Sequence, residues 1–126
     1  MSVPCTTRLC ISGKEEMYVI DLDRVAYIQA DDHYAHVYYS QDSHFMVPYG
    51  LSRIEGLLAA IGHEASHIRR MGRKHIINYR RIFRVNTIRE QLSLCDERGG
   101  IIVLHVSKIL LRNLMDQMKG VTKFDV

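Results

Sequence analysis

IRRMGRKHIIN, at residues 68–78, has the pattern of two strands joined by a basic turn. Branched apolar residues on both flanks favour β-strands, which we predict at residues 67–71 and 75–78. Gly72 in the middle predicts a bend, so Arg73 and Lys74 should project from a turn between the strands. There a planar guanidinium can bind guanine and an ammonium can neutralise a phosphate. A charged turn that only keeps the fold soluble is the equally open alternative.

Short segments of the same strand-forming kind recur along most of the chain. Strands are predicted at residues 8–11, 17–20, 25–30, 36–39, 44–47, 67–71, 75–78, 82–86, 91–94 and 101–105. Turn-like residues at 12–14, 40–43 and 96–100 separate many of them, and such short connections favour antiparallel pairing. The chain is therefore predicted to be mainly β and built from hairpins.

Two stretches instead have the apolar spacing of helices. In the first, apolar residues fall at positions 54, 57, 58 and 61, Ser52 and Glu55 have the capping-box form, and Gly62 is a plausible stop. The second begins near Ser107, has apolar residues at 111, 114, 115 and 118, and is predicted to stop at Gly120. Residues 121–126 are predicted to form a tail.

The start of the second helix offers another anion site. If Ser107 caps the helix, the free backbone N–H groups there can bind a phosphate, and Lys108 adds a positive charge. An ordinary N-cap beside a solvated lysine is the alternative.

The 126 residues are enough for one domain with its own core, and we predict a single domain over residues 1–126 with its core at residues 8–118. No apolar run approaches the roughly 20 residues of a membrane span, and the start lacks a signal-peptide pattern. A cytoplasmic protein without membrane association is expected.

The three cysteines have no CxxC spacing, which favours reduced thiols over disulfides or zinc.

Positive charge is concentrated in the middle of the chain. No acidic residue lies between Glu64 and Glu90, while the rest of the chain has nine basic and fourteen acidic residues. The eight basic residues of this segment are Arg69, Arg70, Arg73, Lys74, Arg80, Arg81, Arg84 and Arg89. A basic segment in an otherwise acidic chain is typical of a polyanion binder, although a solvated charged face has the same composition.

Carboxylates and imidazoles come together at Asp31, Asp32, His33 and His36. If this stretch is a turn, the groups are exposed, whereas metal and acid–base sites need converging or buried groups. Nothing in the sequence resembles a nucleophile motif, a P-loop or HExxH. We expect a protein that is not an enzyme and binds no metal or cofactor.

Five segments occur in an informative order: IDLDRVAYIQADDHYAHVY (residues 20–38), GLSRIEGLL (50–58), IRRMGRKHIIN (68–78), RVNTI (84–88) and IIVLHVSKILLRNL (101–114). Each is weakly diagnostic alone, but the five in order at these separations are specific. Over residues 8–118 the chain resembles the LytTR DNA-binding domain of bacterial response regulators.

The resemblance implies an elongated stack of antiparallel sheets with one or two short helices. It also implies a sequence-specific transcriptional regulator of a two-component system, in which turns along one edge enter successive major grooves of double-stranded DNA. The positions that it carries over as DNA-binding are Asp32, His33, Tyr34, Arg70, Gly72, Arg73, Lys74, Ser107 and Lys108.

The chain departs from the family pattern at three of these positions. Gly72 stands where the turn often has His, Lys74 where it often has Ser, and Lys108 where the closing segment often has Arg. A lysine can neutralise a phosphate but lacks the planar fork of arginine. Asn78 matches the pattern and is expected to satisfy backbone groups inside the fold. Few residues precede the first strand, so no receiver domain is expected in this chain.

Two other functions stay open from the residues alone. One is a protein-interaction module that pairs its strands with a partner and turns its basic face to an acidic surface. The other is RNA binding by the tyrosines, although Tyr38 and Tyr39 point to opposite faces, so at least one should lie in the core. The expected partner is double-stranded DNA with repeated sites, bound by a homodimer or paired monomers in a sensor-kinase pathway.

Overall fold

The computed structural model describes residues 7–119, which form ten β-strands and two α-helices. The strands are β1 (Arg8–Ser12), β2 (Met17–Asp21), β3 (Tyr27–Asp31), β4 (Tyr34–Tyr38), β5 (His44–Val47), β6 (Ile68–Met71), β7 (His75–Asn78), β8 (Ile82–Asn86), β9 (Gln91–Cys95) and β10 (Ile101–His105). The helices are α1 (Leu51–Ile61) and α2 (Lys108–Lys119), with 3-10 turns at His63–Ala65 and Tyr79–Arg81. The prediction of a mainly β fold with two helices is confirmed. The expected stop at Gly120 and the tail at 121–126 lie outside the described residues.

The strands form three antiparallel sheets. The largest has the order β5-β4-β3-β7-β6, the second β10-β9-β8, and the third pairs β1 with β2. In the largest sheet Ile28 of β3 lies opposite Ile76 of β7, and the two strands run in opposite directions. The β3–β4 turn and the β6–β7 turn therefore lie at the same end of this sheet.

The five-stranded sheet separates two hydrophobic cores. Ile28 and Ile76 belong to the core shared with α1 and the β1–β2 sheet, whereas Tyr27 and Ile77 belong to the core shared with α2 and the three-stranded sheet. This division arises because successive strand residues point to opposite faces. Each isoleucine buried here stabilises the fold by roughly 1.5–3 kcal/mol relative to an exposed one. Tyr39 is also buried, so the prediction that one of the adjacent tyrosines is in the core is confirmed.

Asn78 is the last residue of β7, an inner strand of the five-stranded sheet. Its side chain is buried, and its Nδ2 donates to the carbonyl oxygen of Val25 at 2.8 Å. Its Oδ1 accepts a hydrogen bond from the backbone N–H of Arg80 at 3.0 Å, which stabilises the 3-10 turn after the strand. The prediction that this amide satisfies backbone groups is confirmed.

The predicted capping box of the first helix is wrong. Helix α1 begins at Leu51 with Gly50 as the N-cap, and no side chain caps it. Ser52 Oγ and Glu55 Oε1 accept hydrogen bonds from Arg70 Nη1 instead, at 3.0 and 3.3 Å. The predicted stop at Gly62 is confirmed, because its N–H donates to the carbonyl of Leu58 and its φ is 86°.

Strand β4 begins earlier than predicted, at Tyr34 rather than at residue 36. The register pairs Asp31 with Tyr34, so only Asp32 and His33 form the turn. Asp32 has φ of 57°, which belongs to the left-handed region that tight hairpins use. The predicted strands at residues 25–30 and 36–39 left residues 31–35 between them, a wider turn than the two residues observed.

Within residues 7–119, no helix is both long enough and apolar enough to cross a membrane. Cys10 and Cys95 are free thiols, the first exposed and the second partly buried.

Candidate nucleic-acid interface

The β6–β7 turn and the β3–β4 turn lie side by side at one end of the five-stranded sheet. The backbone N–H of Ala30, near the end of β3, donates to the carbonyl of Lys74 at 2.8 Å. This bond continues the β3–β7 ladder up to the two turns. We call this end of the sheet the turn end. It comprises the β3–β4 turn, the β6–β7 turn, the β8–β9 turn and the start of α2.

The first predicted group, Asp32, His33 and Tyr34, forms an exposed hairpin tip. The Asp32 and His33 side chains are 82% and 91% exposed, and His33 Nε2 lies 3.8 Å from Asp32 Oδ1. Tyr34 is about half exposed at the start of β4. Gly50, just before α1, packs close to the carbonyl of Asp32, so the start of the helix supports the tip.

The second predicted group consists of Arg70, Gly72, Arg73 and Lys74, and Arg70 stabilises the conformation of the turn that contains the other three. Its Nε donates to the carbonyl of Gly72 at 3.0 Å, and its Nη2 to the carbonyl of Arg73 at 3.5 Å. Its Nη1 bonds to Ser52 and Glu55 of α1, and the side chain is only 23% exposed. The Arg70 guanidinium thus joins the β6–β7 turn to the first turn of α1.

Gly72, Arg73 and Lys74 form the β6–β7 turn itself. Gly72 has φ of 69°, a conformation that favours glycine. Arg73 and Lys74 are exposed, and neither makes an ion pair within 4.0 Å among residues 7–119. Two full positive charges are therefore presented to solvent from a turn whose backbone is held in place.

The third predicted group lies at the start of α2. Ser107 Oγ accepts a hydrogen bond from the backbone N–H of Leu110 at 3.5 Å, a weak N-cap. The backbone N–H of Lys108 donates to Glu90 Oε2 at 2.9 Å. The expectation that this N–H is free for a phosphate is therefore wrong, because the chain's own carboxylate occupies it. The Lys108 side chain is exposed.

A cleft of about 260 Å³ joins the second and third groups. It is lined by Met71, Arg73, Lys74, His75, His105, Val106, Ser107 and Leu110. Burial, and then the nearby charge of Lys74, lower the pKa of His75 below its ordinary value, so this ring is neutral near pH 7. The positive charge of the cleft therefore comes from Arg73 and Lys74, with Lys108 next to Ser107 at its margin.

The β8–β9 turn also lies at the turn end, and the sequence analysis does not predict it as part of the site. Glu90, in this turn, has φ of 53°, and its carbonyl accepts the N–H of Val106 at 3.0 Å just before α2. Ile88 and Arg89 precede it and are exposed. Arg89 was counted in the basic segment, but nothing in the sequence pairs residue 90 with the start of α2.

The structure thus defines a class of protein: a β-rich domain that presents cationic side chains from turns at one end of its sheets. The family of LytTr DNA-binding domains matches residues 15–119, and the chain belongs to this family. It is a DNA-binding domain of a family that acts in transcription regulation.

The fold is similar to that of a solved LytTr DNA-binding domain, from a Bacillus cereus protein described as a methyl-accepting/DNA response regulator. The sequences are 16% identical, the match covers 91% of this chain and 98% of that one, and the TM-score is 0.58. Among curated proteins none matches this sequence significantly.

Proposed function

We propose that this domain recognises specific sequences in double-stranded DNA by inserting turns of its turn end into successive major grooves. One observation carries the proposal: Arg73 and Lys74, exposed and without ion pairs among residues 7–119, line one cleft with Ser107, next to Lys108. Cations grouped at one end of the domain suit the regular spacing of phosphates along a duplex.

Arg73 and Lys74 take different roles in this proposal. The Arg73 guanidinium has the planar donor fork that pairs with guanine O6 and N7 in the major groove. The Lys74 ammonium is a point charge and neutralises a phosphate regardless of sequence. Arg73 therefore carries discrimination between bases, and Lys74 carries general affinity.

Arg70 acts through the turn rather than on the DNA. Its guanidinium nitrogens bond to the carbonyls of Gly72 and Arg73 and to the side chains of α1, which leaves it little capacity for a base or phosphate. We assign it the positioning of the β6–β7 turn. Gly72 has a similar role, since it contributes a backbone conformation and no side chain.

The flanking segments widen the contact surface. In the β3–β4 turn, Asp32 and His33 offer an acceptor and a donor for base edges, and Tyr34 offers a hydroxyl. On the other side of the β6–β7 turn, Ser107 and Lys108 contact phosphate through a hydroxyl and an ammonium. Glu90 already places a carboxylate at the start of α2, which disfavours a close approach of phosphate to the backbone there.

The wider setting of the domain forms part of the same proposal. Binding sites are expected as short repeats about one helical turn apart, occupied by a homodimer or by paired monomers. A regulator of this family would act in the cytoplasm and respond to a sensor kinase. Its family membership supports this setting.

Selection of bound duplexes from a random pool tests the proposal. We expect enrichment of a short sequence motif, and an unrelated duplex should compete poorly for the selected one. An Arg98→Ala variant is the control, since Arg98 is an exposed arginine in the β9–β10 turn at the opposite end of the three-stranded sheet. Binding of duplexes with no enriched motif would overturn sequence-specific recognition, and no binding of any duplex would favour a protein-interaction module.

A further inference from the structure

The outer faces of the two smaller sheets lie on opposite sides of the domain. The inner residues of the β1–β2 sheet and of the three-stranded sheet belong to different cores, which the five-stranded sheet separates. Because successive strand residues point to opposite faces, the remaining residues of these strands point away from the five-stranded sheet, in opposite directions. Neither outer face is covered by any part of residues 7–119.

Both outer faces expose apolar side chains. On the β1–β2 sheet, Met17 is 61% exposed and Val19 is 44% exposed. On the three-stranded sheet, Phe83 is 52%, Ile101 is 59% and Val103 is 53% exposed. Large apolar side chains grouped on one exposed face are typical of surfaces that bind another protein.

The charges beside the two apolar faces are of opposite sign. Glu15 and Glu16 in the β1–β2 turn are exposed, make no ion pair among residues 7–119 and outnumber Lys14 in the same turn. Arg84 of β8 and Arg89 of the β8–β9 turn are also exposed and without an ion pair in the described chain. The two faces are therefore complementary in charge as well as apolar.

The β1–β2 turn lies beside the turn end. The Tyr49 hydroxyl donates to the carbonyl of Ser12 at 3.3 Å, and Pro48 lines a groove with the β1–β2 turn. Both residues follow β5, whose last residue, Val47, pairs with Ala35 next to the β3–β4 turn. The β8–β9 turn is part of the turn end, so the acidic and the basic residues are at matching heights on the two opposite faces.

We propose that two copies of this domain bound to one duplex contact each other head to tail. The outer face of the β1–β2 sheet of one copy packs against the outer face of the three-stranded sheet of the next. This inference rests on the proposed binding of repeated DNA sites. Moving a copy along the stack of sheets keeps its turn end toward the duplex, so the contact requires both repeats to have the same orientation. A two-fold axis would instead bring two acidic turns or two basic segments together.

The thickness of the domain suits this arrangement. Packed sheets lie about 10 Å apart, so the two outer sheets are separated by roughly 20 Å, and a contact between copies adds about 10 Å. The resulting repeat of roughly 30 Å is close to the ~34 Å of one helical turn of DNA. Successive copies therefore present their turn ends to the same side of the duplex.

The contact is small, because each face is built from strands of five residues. An interface of this size is weak between free molecules, but two copies at neighbouring sites have a high effective concentration. We therefore expect the domain to be monomeric in solution and cooperative on DNA.

Duplexes with two sites test the contact in the whole chain. They carry two copies of the selected motif one helical turn apart, as a direct or an inverted repeat, and a third duplex carries one copy. We expect the second site of the direct repeat to be bound roughly 5-fold or more tighter than the single site, with no gain on the inverted repeat. A gain on the inverted repeat equal to or larger than that on the direct repeat would overturn the proposal.

Val19→Asp and Val103→Asp each alter one face. Both side chains are exposed in the middle of a strand, so each variant should bind the single site like the parent but lose the gain on the direct repeat. Met46→Asp is the matched control, because Met46 is an exposed apolar residue of β5 outside both faces, and this variant should keep the gain.

An equimolar mixture of the two face variants tests the head-to-tail order. A Val103→Asp copy and a Val19→Asp copy can still join two intact faces, so the mixture should recover much of the gain on the direct repeat. A contact between like faces has no such arrangement. Absence of recovery in the mixture would therefore contradict the head-to-tail contact.

The single-site duplex distinguishes the two possible failures. A parent protein that binds no duplex specifically would overturn both the proposed function and the contact between copies. Specific binding to the single site without any gain on the direct repeat would overturn the contact alone and leave the two faces to a different partner.

Discussion

Gly72 packs directly against Leu110, so the β6–β7 turn rests on the first turn of α2. A Cβ atom added at position 72 would come within 2.7 Å of Leu110 Cδ1. Position 72 therefore requires glycine for two reasons: its φ is 69°, and Leu110 leaves no room for a Cβ atom. The relationship couples the cationic turn to the helix that carries Lys108.

Gly72→Ala should consequently destabilise the protein and weaken DNA binding. The left-handed backbone costs roughly 1–2 kcal/mol for a residue with a Cβ, and moving Leu110 from its rotamer adds about 0.5–1.5 kcal/mol. Gly99→Ala is the matched control, because Gly99 has φ of 81° but open space around it. Urea unfolding of both variants measures the difference.

The contribution of Leu110 can be separated by a double variant. Leu110→Ala combined with Gly72→Ala should remove the steric part of the loss and leave the backbone part. If Gly72→Ala were no worse than Gly99→Ala, the contact with Leu110 would have no energetic importance.

Arg73→Ala and Lys74→Ala should differ in kind when DNA binding is measured. We expect Arg73→Ala to relax discrimination at one base pair by about 1–3 kcal/mol. Lys74→Ala should weaken binding to all duplexes alike and reduce the slope of log affinity against log salt by about one. Gel shifts with the selected and a scrambled duplex at several salt concentrations distinguish the two. Variants that both bind like the parent protein would show that this turn does not touch DNA.

The hairpin that carries these residues could be predicted from local sequence. Gly72 before the basic pair Arg73-Lys74 indicated the turn, and the Ile76-Ile77 pair indicated a strand, which the structure buries on both faces. Both signals are local, because turn chemistry and strand periodicity depend on neighbouring residues. The structure confirms them.

The partners of the turn could not be predicted in the same way. Ser52 and Glu55 have the local pattern of a capping box, but Arg70 binds both once the sheet brings it beside α1. Glu90 binds the start of α2 from 18 residues away, with a backbone conformation that glutamate rarely adopts. These contacts depend on tertiary placement, which one sequence does not reveal.

Glu90→Gln should strengthen DNA binding. The variant keeps an acceptor for the Lys108 N–H but removes a negative charge from the turn end, where phosphates would approach. A rise of roughly 2–10-fold in affinity is expected at low salt, and it should shrink as salt screens the charge. Glu90→Ala also loses the hydrogen bond and should lower stability by about 0.5–2 kcal/mol. Fluorescence anisotropy gives the affinities. Weaker binding by Glu90→Gln would instead mean that the carboxylate itself contacts a base.

His67 and His75 should make the protein less stable as the pH falls below neutrality. Burial lowers the pKa of both rings, with Arg80 adding to the shift at His67 and Lys74 at His75. The unfolded chain therefore binds protons near the ordinary value of 6.5, while the folded chain binds them only at lower pH. Within that window the unfolded state holds more protons, so the free energy of unfolding decreases as pH decreases.

Urea unfolding at pH 7.5, 6.5 and 5.5 in phosphate-free buffer measures this dependence. The slope is at most about 1.4 kcal/mol per pH unit for each histidine. His67→Asn and His75→Asn should each flatten the slope, whatever they do to stability at pH 7.5. His33→Asn should not, since His33 is exposed. A slope unchanged in both buried variants would assign the pH dependence to other groups. The contribution of the Glu97 carboxylate to the pH dependence can be distinguished from that of the histidines. Arg24 lowers the pKa of Glu97, so the stability that this ion pair adds is lost only below pH 4.5, the ordinary pKa of a glutamate.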